Sequence, residues 1–210
     1  TNLDKIRCIF FESKRIFLPS LNINTKMLHG GIERSNFGET SEAIFLNSGF
    51  CYNSAEIAES RFNGEDPSFV YSRYLNPNLK ILEEKLALLE GAKRCSVMAS
   101  GMAAVFASIM CQAKAGDHVI FSKVLFGSCY HIAANILPNY GIEVSFVAGT
   151  DFQIWKKAFK KNTKLIFIET PANPNLEIID ITAISALCKT HQAKLIIDNI
   201  FASPYCQKTS

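Results

Sequence analysis

Four short, mostly apolar runs, at residues 118–121, 143–147, 164–169 and 194–198, are separated by segments with helical spacing. Strands apolar on consecutive positions must bury both faces. Such a rhythm predicts an α/β fold, a mostly parallel sheet flanked by helices on both sides. The intervening helices are expected at Ser128–Tyr140, Asp151–Lys160 and Ile181–Thr190. In open sheets of this kind ligands sit beyond the carboxyl ends of strands, so the residues that follow each run are the ones to read for chemistry.

Upstream, Asn76-Pro77 reads as an N-cap followed by proline in the first helical position. Leu79, Leu82, Leu86 and Leu89 then recur at helical spacing until Gly91 stops the run. An apolar stretch at 97–99 leads into Ser100-Gly101-Met102 as a strand-to-helix junction, with helix through about Lys114. Residues 25–70, rich in Gly, Asn, Ser and acids, lack this rhythm and are expected to form an arm or subunit-contact segment. Residues 1–24 are expected to be an unmatched extension, and residues 71–210 an incomplete large domain.

Composition narrows the class. Charged residues are 20% of the 210 and the net charge is +3, which gives no concentrated basic patch for nucleic acid or a membrane surface. No apolar run approaches the ~20 residues of a membrane span. The seven cysteines never form C-x-x-C, and the four histidines share no ligand spacing, so neither a disulfide framework nor a metal site is expected. A cytoplasmic protein is the expectation.

Five places could carry chemistry. Gly101 and Met102 open a helix, where free N–H groups and the helix dipole favour an anion, though many helices begin this way. Tyr71 and Arg73 offer a hydroxyl and a planar fork to phosphate oxygens, or an ordinary surface loop. Phe126 could stack on a planar ring or simply pack in the core. In Glu169-Thr170-Pro171-Ala172-Asn173-Pro174 two prolines make the loop rigid and leave Asn173 to project a neutral amide. Asp198 ends an apolar strand, where it either caps the next turn or meets a cation.

In this order the motifs YSRYLNPN, LLEGAKRCSVMASGMAA, QAKAGDHVIF, ETPANPNLEIIDI and IIDNIFASPY resemble the Cys/Met-metabolism family of pyridoxal 5′-phosphate (PLP)-dependent transsulfuration enzymes. The resemblance runs from about Thr25 to Gln207. It implies a PLP-dependent transferase fold of the aspartate aminotransferase type (fold type I), truncated before the small carboxyl-terminal domain. It also implies residue roles. Gly101 and Met102 would hold the cofactor phosphate, and Tyr71 and Arg73 would reach the phosphate of a neighbouring subunit's cofactor. Phe126 would stack on the pyridine ring, Asn173 would hydrogen-bond its hydroxyl, and Asp198 would pair with its protonated nitrogen.

The segments at 38–74 and 125–143 are most similar to the homoserine-ester sulfhydrylase branch, and Phe126 stands where the cystathionine enzymes commonly carry Tyr. The implied reaction is γ-replacement on O-succinylhomoserine or another acylated homoserine by sulfide or a thiol, in a homo-oligomer with shared sites. Alternatives are a cystathionine γ-synthase or γ-lyase activity, half of a split enzyme, or a non-catalytic remnant. The family's Schiff-base lysine follows in a later segment. Lys208 aligns with an ordinary basic residue instead, so no catalytic lysine is assigned and the chain alone is expected to be inactive. Asn78 replaces the family's usual Thr or Ser, which reads as a lesser change on a first helical turn.

Overall fold

The computed structural model describes residues 22–32, 34–149 and 151–209, so most of the expected extension at 1–24 lies outside the described residues. The chain divides into two compact units after Val97.

Among the described residues of the first unit three helices form: α1 (Ile23–His29), α2 (Ala55–Phe62) and α3 (Pro77–Glu90). Each starts on a side-chain cap: Asn22 accepts from the Asn24 N–H, Ser54 from Ile57 and Asn76 from Asn78. The expected proline at the first position of α3 is present, and Gly91 ends the helix with φ 75°. Two helices thus occupy the stretch whose composition showed no helical rhythm; α2 exposes Phe62 and buries no residue, so no core-facing apolar stripe announces it. α1 packs on α3. At that approach Gly31 has φ +72° and a Cβ there would lie 2.9 Å from the Cβ of Glu84, so only glycine fits.

Asn78 does more than fill the first turn of α3. Its Oδ1 accepts from the Phe45 N–H at 2.8 Å and its Nδ2 donates to the Ala43 carbonyl at 2.6 Å. The amide therefore pairs with an extended backbone segment as a strand would, which a hydroxyl cannot reproduce at both ends.

The second unit holds a four-stranded sheet, β1 (His118–Ser122), β2 (Glu143–Val147), β3 (Thr163–Glu169) and β4 (Lys194–Asp198). All pairings are parallel, in the order β2-β1-β3-β4. The helices are α4 (Gly101–Met110), α5 (Gly127–His131), α6 (Phe152–Lys157), α7 (Ile181–Thr190) and the short α8 (Ser203–Cys206). Alternation along the strands sorts side chains to two cores. Val119, Phe121, Leu165 and Phe167 face Ile109 of α4 and Cys129 of α5, with Ile196 packed against them. Ile120, Ile166 and Ile168 face Trp155 of α6 and Leu187 of α7. The expected parallel sheet with helices on both faces is the architecture found.

Two local expectations fail. Residues 97–99 form no strand, because no neighbouring strand among the described residues supplies a ladder, and the Val97 N–H donates instead to Glu83 Oε1 at 2.9 Å; Ser100 enters α4 from an extended conformation. The helix expected through Tyr140 is α only over Gly127–His131; it continues as a π turn at Ile132–Ile136 and a 3-10 turn at Leu137–Tyr140. Pro138 lacks the N–H that a continued α-helix requires.

Candidate functional site

The strand order reverses about β1. From β1 the chain steps to β2 on one side, then crosses to β3 on the other and moves outward to β4. Loops at the carboxyl ends of β1 and β3 therefore part at this switch point and leave room between them. Phe126 follows β1, and Asn173 follows β3.

Glu169, the last residue of β3, is fully buried and joins those loops. Its Oε2 accepts from the Phe126 N–H at 2.6 Å and its Oε1 from the Asn173 N–H at 2.8 Å. Its register partner across the next ladder is Asp198, the last residue of β4. Because Glu169 alternates with Phe167, and Asp198 with Ile196, both carboxylates belong to the sheet face that packs on α4 and α5. Burial raises the Glu169 carboxyl above its ordinary pKa, the Phe126 and Asn173 amides pull it back down, and Asp198 raises it again. The Cys129 thiol on the same face is pushed up to about 12 by burial and by Asp198 and Glu169. It is no nucleophile near neutral pH.

The structure thus brings Phe126, Asn173 and Asp198 to one edge of the sheet. The Phe126 ring is 45% exposed, so it is presented rather than packed away. Asn173 donates its backbone N–H to Glu169, while its side-chain amide makes no hydrogen bond among the described residues. Asp198 is half-buried and caps the following turn through the Ile200 N–H at 3.1 Å, so the capping reading holds; its remaining acceptor capacity is open to a further partner. Gln207 braces the same edge: its Nε2 donates to the Thr170 carbonyl at 2.7 Å and to Asn199 Oδ1 at 2.8 Å.

Gly101 and Met102 open α4, whose first free N–H groups are partly met by Ser100 Oγ accepting from Ala103 at 3.1 Å. A short link, residues 111–117, joins α4 to the start of β1, so α4 runs antiparallel to the strands and its N-terminus faces the side on which they end. An added Cβ at Gly101 would meet nothing within 4 Å. Internal packing therefore gives no reason for a glycine there, whereas an external group approaching the backbone would.

Tyr71 and Arg73 belong to the first unit. The Ser72 N–H donates to the Ser48 carbonyl at 2.8 Å, and Asn76 Nδ2 donates to the Phe45 carbonyl and Ser72 Oγ, each at 3.1 Å; together they pin this turn to residues 45–48. The Arg73 guanidinium lies 5.1 Å from the Tyr71 ring centroid and 5.5 Å from that of Tyr74. It has no ion pair among the described residues, so an exposed cation is held in place by aromatic faces alone.

Glu169 is a site residue that motif spacing does not single out, although the sequence carries a signal for it: an acid ends an apolar strand there, as Asp198 does. Among the described residues no group of acids, cysteines and histidines could hold a metal ion, and no helix is long and apolar enough to cross a membrane.

An acid and an amide at strand ends thus lie near an exposed ring, in a unit that also carries a helix N-terminus with a bare glycine. Residues 24–209 match the Cys/Met metabolism PLP-dependent enzyme family, and the chain belongs to it. It is 44% identical over 181 residues to the O-succinylhomoserine sulfhydrylase of Mycobacterium tuberculosis, which covers 86% of this chain and 45% of that protein. It is 37% identical over 193 residues to the L-methionine gamma-lyase of Treponema denticola, covering 91% of this chain and 48% of that protein. A Campylobacter jejuni structure assigned as an O-acetylhomoserine (thiol)-lyase, bearing N′-pyridoxyl-lysine-5′-monophosphate, superimposes with a TM-score of 0.87 at 32% identity, over 90% of this chain and 47% of that one. The chain spans about half the length of the curated relatives it matches.

Proposed function

We propose that the second unit seats pyridoxal 5′-phosphate and that the protein acts in γ-replacement on an O-acylhomoserine, O-succinylhomoserine first, with sulfide or a thiol as the incoming group. The observation that carries the cofactor seat is the convergence of Phe126, Asn173 and Asp198 at one strand-end edge. The donor set fits the group chemically. The Asp198 carboxylate would hold the ring N–H and favour a protonated nitrogen, because an anion beside it favours the charged form. The Asn173 amide would hydrogen-bond the ring hydroxyl. Phe126 would hold the ring by its apolar face and, having no hydroxyl, would move no proton. Backbone N–H groups of the α4 N-terminus, with its bare Gly101, would hold the phosphate.

When bound, pyridoxal phosphate supplies a conjugated electron sink for carbanions formed on an amino-acid substrate. Tyr71 and Arg73 are assigned to the phosphate of a neighbouring subunit's cofactor, which makes the working form a homo-oligomer with shared sites. Support for the γ-replacement reading comes from the sulfhydrylase relative and from the phenylalanine at 126; the methionine γ-lyase relative favours γ-elimination from methionine as a second reading.

Pyridoxamine 5′-phosphate tests the seat without depending on a Schiff-base lysine. Calorimetric titration is expected to show binding to the wild-type chain and a loss of at least tenfold in Asp198→Ala; equal affinities would refute the seat. A chimera joining residues 24–209 to the part of the M. tuberculosis relative that this chain does not cover separates the activities. Homocysteine formed from O-succinylhomoserine and sulfide should exceed α-ketobutyrate released from methionine, and the reverse ratio would favour the lyase.

A further inference from the structure

Glu169 has no part in the cofactor contacts just assigned, yet its single carboxylate is bonded to the two loops that carry Phe126 and Asn173. Phe126 immediately precedes α5, where backbone N–H groups lack intrahelical acceptors. Asn173 sits between Pro171 and Pro174, so its own N–H is the only backbone donor of that tight stretch after Ala172. Both donors end on Glu169, at 2.6 and 2.8 Å. The side chain is fully buried, in register with Asp198, and makes no ion pair among the described residues. A lone buried carboxylate is costly, and two charge-assisted hydrogen bonds to backbone are what offset that cost here.

We infer that Glu169 is a positioning residue: one carboxylate latches the turn after β1 to the turn after β3, fixing the Phe126 ring and the Asn173 amide relative to Asp198. This rests on the cofactor seat proposed above for its purpose, but the latch itself is tested apart from it. Glutamine at this position keeps the volume and one acceptor oxygen. Its other end is an NH2 donor, which would face a backbone N–H donor, so one half of the latch must open. Paired acids also make the edge more demanding of a cation, since Glu169 and Asp198 are register partners on the same face of adjacent parallel strands.

The test is amide hydrogen exchange followed by NMR on the whole chain, wild type against Glu169→Gln, with pyridoxamine 5′-phosphate titrated into both. In Glu169→Gln the Phe126 or the Asn173 amide is expected to exchange at least tenfold faster, while the ladder amides of Phe121 and Phe167 keep their wild-type rates. Pyridoxamine phosphate affinity is expected to fall at least fivefold. Unchanged protection at both amides would overturn the latch, and so would a uniform acceleration at all four, which marks a residue that merely stabilises the unit. If the glutamine variant does not fold, Glu169→Asp, which keeps the charge but shortens the reach, is read in the same way. The expected difference in exchange between wild type and Glu169→Gln, with no binding of pyridoxamine phosphate to the wild type, would sink the cofactor seat and leave the latch standing.

Discussion

Glu169 and Asp198 are register partners at the last rung between β3 and β4, two acids side by side on one face of a parallel sheet. They part in function by what they accept. Glu169 is spent on two backbone N–H groups inside the protein, whereas Asp198 gives one oxygen to the Ile200 N–H and has capacity left facing the strand-end edge.

Reactivity of the thiols follows from this arrangement. Cys129 lies under both carboxylates with its thiol pushed to about 12, and burial pushes Cys188 to about 11. Cys51, Cys111 and Cys206 are exposed. Iodoacetamide at pH 8, followed by peptide mass spectrometry, is expected to label the exposed three in the native protein and to reach Cys129 and Cys188 only after denaturation. Native labelling of Cys129 at the rate of Cys51 would contradict the placement of α5.

His118 gives a pH dependence of known sign. It is fully buried, pairs through Nδ1 with Thr163 Oγ1 at 2.7 Å and through Nε2 with Ser145 Oγ at 2.9 Å, and stays satisfied while neutral. Burial, and after it the Lys160 cation, lowers its pKa, while Glu143 raises it. The unfolded chain takes up a proton near an ordinary histidine value of about 6.5, while the folded chain waits for a lower pH. Stability from this group is therefore complete above about 6.5 and falls as pH drops from there toward the folded value. Urea melts followed by the emission of Trp155, the sole tryptophan and fully buried, should show that decline, and His118→Phe should flatten it. A steeper decline in the variant would contradict the assignment.

Asn78 is expected to matter more than its place on a first helical turn suggests. Asn78→Ala removes two hydrogen bonds to the backbone at Ala43 and Phe45 and should cost about 1–3 kcal/mol. Asn78→Thr, which can restore one of them, should fall between. Chemical denaturation measures both, and a neutral alanine variant would show that the 43–45 segment does not depend on this amide.

The sheet was legible because its two central strands, β1 and β3, are buried on both faces, so their sequences are apolar at consecutive positions and cannot be confused with half-exposed strands. Asn76, Pro77 and Gly91 announced α3 because caps act locally. The segment at 97–99 misled because an apolar stretch becomes a strand only when a neighbour supplies its ladder, and that depends on distant residues. α1 and α2 were missed for the opposite reason: short, polar helices are held by caps and by packing on other elements, not by their own periodicity. Asp198 stood out by its isolation at a strand end. Glu169 did not, since its importance lies in two backbone donors, one of them far away in the chain, that no spacing rule reveals.

In the proposed seat, Asp198 at the carboxyl end of β4 would keep the ring nitrogen of the cofactor protonated. Nitrogen-15 NMR of ring-labelled pyridoxamine 5′-phosphate bound to the chain at pH 8 reads this directly. A pyridinium shift is expected in the wild type, replaced by a neutral-pyridine shift or loss of binding in Asp198→Ala. The same protonated signal, at the same affinity, in both proteins would contradict the account.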